Sequence, residues 1–350
     1  MSNALTYDLT DYLIAPHQIA LDLTNKCNLR CLHCYNYSGD NNIVPYELSD
    51  DEVLEFVETV IPLHPYNFCM CGGEPLLRKD LLIACAKLLS KQGTIVSMVS
   101  NGILASHNVL DELYEAGVRN IQYSLDGLKK GHERLRNKKG IFERVLDAII
   151  YTAQLNITLS IAFCPTSFNL DEFTMVYDLL MDLSKKYRPD NPIKLRVQPL
   201  MELGRASENL NEIMPTEEQY RALIREIALR ENTMVKIDWG DPIDHLIRFS
   251  NKSLPLNFCT IRANGDLSVS PYLPLVVGNI KRHTLEEYWN GGMNRIWERK
   301  IVRYLSSYLR AIPDMYTISD YLPETFKDTE ISLDLLECNL DDMSLLDSYI

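Results

Sequence analysis

Short apolar runs of strand length alternate with stretches of helical period along the first two thirds of the chain. Residues 19–23 read as a strand. Ser49 then opens a helix: Glu52 completes a capping box, and Val53, Val57, Val60 and Ile61 form one apolar face. The same reading gives strands over 67–71, 95–99, 120–125, 158–163 and 194–197. Helices are expected over 80–89, 109–115, 141–150, 171–183 and 217–229, the third strand's helix stopping at Gly117. Six strand–helix units in a row demand parallel strands with helices packed outside. Right-handed crossovers curl such a sheet into a barrel, and six units fall short of the eight that close one. The expected fold is therefore α/β: a partial (β/α)6 TIM-type barrel with a wide mouth.

The pattern changes after about Asp238. Residues 259–263 and 267–270, joined across Asn264-Gly265, read as a β-hairpin. A helix pair over 285–289 and 293–309 follows, which makes a small α+β extension. The last thirty residues mix Leu with Asp and Glu and suit either a helix on the barrel or a mobile tail.

Composition narrows the class. Apolar residues make up 46% and charged residues 24%, ordinary for a globular chain, and no run is long enough to cross a membrane. Residues 1–14 carry no secretory signal, so a cytoplasmic location is expected. The net charge of −13 and the lack of an evident basic stripe argue against nucleic acid. Cysteines number nine, an odd count in a chain without an export signal, which speaks against a disulfide framework.

Three of those cysteines, Cys27, Cys31 and Cys34, fall within eight residues directly after the first strand. Strand ends build the active site in barrels of this type. Three thiolates on one loop suit three irons of a cubane cluster, leaving the fourth iron open. A catalytic zinc with three ligands and a water is the rival, and His33 is badly placed as a fourth ligand.

The spacing Cys-x-x-x-Cys-x-x-Cys, followed by Tyr35, resembles the radical S-adenosylmethionine (SAM) superfamily. So do Gly72-Gly73-Glu74, Ser100-Asn101-Gly102, Ser124-Leu-Asp126-Gly127 and Arg136, each at or just past a strand end and in the family's order. The resemblance covers roughly residues 17–205. It implies one [4Fe-4S] cluster on Cys27, Cys31 and Cys34 and a SAM site around it. Gly72, Gly73 and Glu74 would hold the SAM amino group, Ser100 and Asn101 the ribose, Arg136 the carboxylate, and Tyr35 would lie near the adenine. Ser124, Asp126 and Gln198 complete the expected cofactor contacts. It also implies one-electron cleavage of SAM to methionine and a 5′-deoxyadenosyl radical, which takes a hydrogen atom from substrate. Cys164 ends the fifth strand and is a candidate hydrogen-atom donor to a substrate radical; a packed strand-end cysteine is the plainer reading. Cys69, Cys71 and Cys85 read as small buried hydrophobes, and Arg205 as a carboxylate ligand or a structural ion pair.

Cys259, Asn264-Gly265-Asp266 and the run 271–280 resemble the SPASM and twitch auxiliary-cluster domains of peptide-modifying members. Ser270, however, stands where that pattern has a cysteine, and only Cys259 and the distant Cys338 remain. The expectation is a retained scaffold without its second cluster. The implied layout is an N-terminal segment (1–16), the partial barrel (17–235), the SPASM/twitch-like region (236–316) and an acidic tail (317–350).

The leading functional expectation is a radical SAM enzyme that modifies a ribosomally made peptide, by crosslinking, epimerisation or a similar reaction. It would need an electron donor such as flavodoxin or ferredoxin. With about sixteen residues before the first strand, it would also call for a separate peptide-recognition protein. The alternatives are radical chemistry on a small molecule (a sugar, nucleotide or cofactor precursor) and a non-enzymatic metal-binding or electron-transfer protein. The last leaves Gly72-Gly73-Glu74, Ser124 and Arg136 without a purpose.

Overall fold

Along strands β1 (Gln18–Asp22), β2 (Asn67–Cys71) and β3 (Ile95–Ser100), every second side chain is apolar and fully enclosed: Ile19 and Leu21, Phe68 and Met70, Val96 and Met98. In β1 and β2 the intervening positions are polar or small, and in β3 they are Ile95, Ser97 and Val99. Such alternation forces one face against helices and turns the other inward. The computed structural model describes residues 13–39, 46–188, 190–230, 233–239, 256–270, 273, 275–307 and 330–349.

The helices that cover the apolar face follow each strand in turn. They are α1 (Asp50–Val60), α2 (Lys79–Ser90), α3 (His107–Ala116), α5 (Phe142–Gln154), α6 (Phe173–Tyr187) and α8 (Glu217–Ala228). Ser49 caps α1 with the expected capping box, its side chain accepting from the Glu52 N–H. Gly117 ends α3 at φ 103°, a left-handed conformation that a side chain disfavours.

Strands β4 (Val118–Ser124), β5 (Thr158–Phe163), β6 (Ile193–Val197) and β7 (Val235–Trp239) extend the sheet, and β1 to β7 are all parallel. The barrel thus has seven successive parallel strands, one more than the pattern predicts. Val-Lys-Ile-Asp-Trp of β7 is a short alternating run at the sheet's edge, with Lys236 and Asp238 exposed. Its apolar signal is correspondingly weak. Two further helices escape the periodicity, α4 (Lys129–Leu135) and α7 (Arg205–Ile213). The first contains Gly131 and has no cap of its own. Glu172, from before α6, accepts from the Leu128 and Gly131 N–H groups instead, a distant partner that local sequence does not show.

The C-terminal part continues the same sheet. Strand β8 (Phe258–Ile261) lies parallel to β1 on the side opposite β2. It pairs antiparallel with β9 (Asp266–Ser268) through the expected hairpin, with Gly265 at φ 90° in its turn. Then come β10 (Leu275–Asn279) and β11 (Ile331–Ser332), giving the order β11-β10-β9-β8-β1-β2-β3-β4-β5-β6-β7. Among the described residues no pairing joins β7 to β11, so the barrel is open. The anticipated helix pair is α9 (Leu285–Asn290), a 3-10 turn Met293–Glu298 and α10 (Lys300–Ser306). Arg299 in extended conformation (ψ 138°) breaks the second helix, and Leu309 lies outside the described residues. The acidic tail differs from both forms expected of it. Its described portion adds β11 to the sheet and ends in the 3-10 stretch Met343–Tyr349, with Arg282 paired to Asp334 at 3.2 Å.

Candidate active site at the strand ends

The loop that leaves β1 is built by its own polar side chains. Thr24 Oγ1 donates to Glu47 at 2.8 Å, and the Asn25 N–H donates to the same carboxylate at 2.7 Å. Asn25 Oδ1 in turn accepts from Ser38 and Asn36. The loop lies against Gly72 and Gly73 after β2: Gly73 N–H donates to Thr24 O at 2.7 Å and Glu74 N–H to Lys26 O at 2.9 Å. A Cβ on either glycine would overlap these carbonyls. In this structure it is the cluster loop's own backbone that the two glycines admit.

On this platform the three cysteines stand around a small apolar floor of Leu29, Ile103 and Ile141. Cys31 is buried, while Cys27 and Cys34 are half-buried. Burial pushes the Cys31 thiol up to about 11, against the pull of Arg136, and raises Cys27 as well. The Cys27 and Cys31 thiols therefore hold their protons, and loading a metal group releases them.

Their spacing tests the kind of group they would hold. Around one zinc, thiolates at about 2.3 Å stand within about 4 Å of one another. Among the described residues, one trio of metal-ligating side chains comes within single-ion range, its ligand atoms within 4.8 Å, and it is His283, Asp334 and Glu337. The three cysteines are near enough for each charge to be felt by the others. Three thiols on one loop, without a fourth protein ligand beside them among the described trios, suit three irons of a cubane with the fourth left open. Neither Cys259 nor Cys338 joins a described trio of this kind; Cys259 and Ser270 are both enclosed.

Around the thiols the expected contact residues fall into two networks. In the first, the fully buried Glu74 accepts from Ser100 Oγ at 2.9 Å, Asn101 N–H at 2.9 Å and Leu76 N–H at 3.1 Å. Three of its roughly four acceptor positions are thus occupied by protein. Burial raises this carboxyl, and those hydrogen bonds oppose the rise. Asn101 Nδ2 reaches Asn28 Oδ1 at 2.7 Å and lies 3.9 Å from Cys27 Sγ.

The second network centres on Asp126. One carboxylate oxygen accepts from the Cys164 N–H at 2.9 Å, and the other pairs with Arg136 at 2.6 Å. The Asp126 N–H donates to His132 Nδ1, and its carbonyl accepts from Asn169. Burial alone would raise the Asp126 carboxyl, but Arg136 and the hydrogen bonds hold it below the usual range. Arg136 also points a guanidinium N–H at Cys31 Sγ, 3.7 Å away. His33 and His132 are buried beside this cation and pushed down to about 3 and about 4, chiefly by burial, so both are neutral.

The remaining expected residues are more dispersed. Ser124 ends β4, half-buried, and its side chain makes no hydrogen bond among the described residues. Gln198 follows β6, half-buried, its N–H on Phe163 O. Tyr35 is 51% exposed beside the loop, with its carbonyl against Gly204. Cys164 is buried at the end of β5, and burial pushes its thiol well up. The Arg205 guanidinium donates to the Cys31 and Ser38 carbonyls, clamping the cluster loop. Glu47, Asn25 and Asn169 carry no sequence signal for these roles, because their partners lie in other parts of the loops or of the chain.

Residues 21–180 match the family described as the Radical SAM superfamily. That stretch of the chain is a radical SAM domain. Members are enzymes that use SAM and an iron–sulfur cluster. Similar proteins include the AdoMet-dependent heme synthase of Methanosarcina barkeri, 26% identical over 79% of this chain and 82% of the relative. The sporulation killing factor maturation protein SkfB of Bacillus subtilis is 26% identical over 80% of this chain, which spans 65% of SkfB. Among solved structures, Streptococcus suis SuiB bound to S-adenosylmethionine superposes with a TM-score of 0.61 at 14% identity, over 84% of this chain and 68% of SuiB. That likeness establishes the shared fold. No described helix is long and apolar enough to cross a membrane.

Proposed function

We propose that this radical SAM enzyme abstracts a hydrogen atom from a ribosomally made peptide. The observation that carries the reading is the cluster loop itself: three thiols gathered over one apolar floor just past the first strand, with Arg136 aimed at Cys31. Cys27, Cys31 and Cys34 would hold the cluster, which supplies one-electron reduction of SAM to methionine and a 5′-deoxyadenosyl radical. The chain's own residues do the rest. Glu74 fixes the strand-end backbone at Ser100 and Asn101, and the hydroxyl of Ser124 and the guanidinium of Arg136 would hold the polar groups of SAM. Arg205 holds the loop in place from behind. An open barrel suits an extended substrate, and SkfB and SuiB, the latter also solved bound to precursor peptide SuiA, support the peptide reading.

A small-molecule substrate is the second reading, favoured by the heme synthase, which this chain matches over most of both lengths. The two are separated by isotope transfer. The reconstituted enzyme, reductant and SAM are incubated with deuterated candidate peptides or with deuterated iron-porphyrin precursors. Deuterium in 5′-deoxyadenosine from a peptide supports the first reading. Transfer from the porphyrin alone overturns it.

A further inference from the structure

The chain carries a net charge of −13, yet residues 129–139 hold six Lys and Arg (129, 130, 134, 136, 138 and 139) against the single acid Glu133. The sequence reading passed over this cluster because it is confined to one short helix and the turn after it. In the structure it lines a groove of about 830 Å³, where five Lys and Arg (129, 130, 134, 138 and 139) and Leu32 share the wall with Asn137 and the two acids Glu133 and Glu212.

Much of the groove's charge is unspent. The Glu133 carboxylate is engaged by backbone, accepting from the Gly140, Ile141 and Phe142 N–H groups at the start of α5. Lys129 pairs with Glu143, and Arg134 pairs with Glu212 while stacking on Phe168. Lys130, Lys138 and Lys139 make no ion pair among the described residues, and all three are exposed. A low-charge neighbourhood is not what surrounds them; an attractive field for an anionic partner is.

The groove's position says which partner. Leu32 in its wall lies between Cys31 and Cys34, and its N–H donates to Leu135 O at 2.9 Å, which fastens the loop to α4. Lys138 Nζ reaches the Asn28 carbonyl at 3.3 Å. Arg136, on the turn that ends α4, touches the Cys31 sulfur. The basic groove thus adjoins the loop that bears the thiols, through Leu32 and Lys138.

We propose that this groove docks an acidic one-electron carrier protein, which delivers the reducing electron through the cluster loop. The inference rests on the radical SAM reading above. The balance is simple: the reduced carrier loses one electron, and that electron ends in the cleavage of one SAM to methionine and a 5′-deoxyadenosyl radical. Charge pairs at such a rim act mainly on encounter and are weakened by salt.

The test uses the full chain, reconstituted, with reduced flavodoxin as the probe and dithionite as a carrier-independent reductant. In Lys130→Glu/Lys139→Glu, flavodoxin-driven 5′-deoxyadenosine formation at low salt is expected to fall about tenfold or more. Its flavodoxin Kd, by calorimetry, is expected to weaken in step, while the dithionite-driven rate stays at the wild-type value. Lys130→Arg/Lys139→Arg is expected to keep both. Equal flavodoxin rates and Kd in wild type and charge-reversed variant overturn the docking proposal while leaving the enzyme reading intact. Failure of wild type with dithionite overturns the enzyme reading itself.

Discussion

Glu74→Gln separates an architectural role of the Gly-Gly-Glu element from a purely ligand-binding one. The carboxylate is fully enclosed and faces three donors, from Ser100, Asn101 and Leu76, and no acceptor. The ionised form is the one this environment fits. In the amide, one oxygen becomes an NH2 group. Its better orientation keeps oxygen toward Ser100 and Leu76 and turns NH2 toward the Asn101 N–H. One charge-assisted bond is then lost, and two donors confront each other in a buried space. An unsatisfied buried donor costs about 1–3 kcal/mol, and a bond to a charged group contributes about 1.5–3 kcal/mol. A destabilisation of about 2–4 kcal/mol follows, or roughly 3–6 °C in Tm for a chain of this length. Thermal unfolding of the metal-free protein, followed by circular dichroism, reads it without any ligand present. Because Asn101 also touches Asn28 and Cys27, iron retention after reconstitution is expected to fall too. An unchanged Tm in the metal-free protein would refute this reasoning and leave Glu74 as a ligand contact alone.

Gly73→Ala places a methyl against the Lys26 and Asn25 carbonyls, which are backbone and cannot swing aside. It is expected to lower both the metal-free Tm and the iron content, whereas Gly93→Ala, where a Cβ meets nothing, leaves the iron content unchanged. Asp126→Asn removes the partner of the largely buried Arg136 and is expected to cost about 3–5 kcal/mol, measured by urea unfolding of the metal-free chain. Asp22 gives a pH signature. Burial, against the pull of Arg262, raises its carboxyl from 3.8 to about 6. The folded state therefore binds the proton more tightly than the unfolded one, and stability falls as pH rises from about 4 to 6. Asp22→Asn is expected to remove that slope and to stabilise the protein at pH 7 by up to about 3 kcal/mol, as read from denaturant midpoints at pH 4 and 7. A gain as large at pH 4 as at pH 7 would contradict it.

What sequence could show here followed from local pattern. The strand at 67–71 and the capping box at Ser49 are set by near neighbours, so alternation and spacing reveal them. β7 was missed because an edge strand buries little. α4 was missed because Glu172, some forty residues on, satisfies its first turn. The cysteine loop was legible from its spacing and order. The clamps on it were not: Glu47 on Asn25 and Arg205 on Cys31 act through backbone atoms, which leave no residue-type signature. Glu74 was visible as part of a motif, but only coordinates show its oxygens directed at Ser100, Asn101 and Leu76. The basic groove also needed the fold, since its meaning comes from Leu32 and the thiols behind it.

The central claim is that Cys27, Cys31 and Cys34 hold a single cluster open to SAM. Anaerobic reconstitution followed by iron analysis and electron paramagnetic resonance, with and without SAM, tests it most directly. About four irons per chain, a reduced-cluster signal that changes when SAM is added, and loss of both in Cys31→Ala are predicted. About eight irons would contradict the single cluster, and tightly held zinc with no SAM-dependent signal would contradict the cluster altogether.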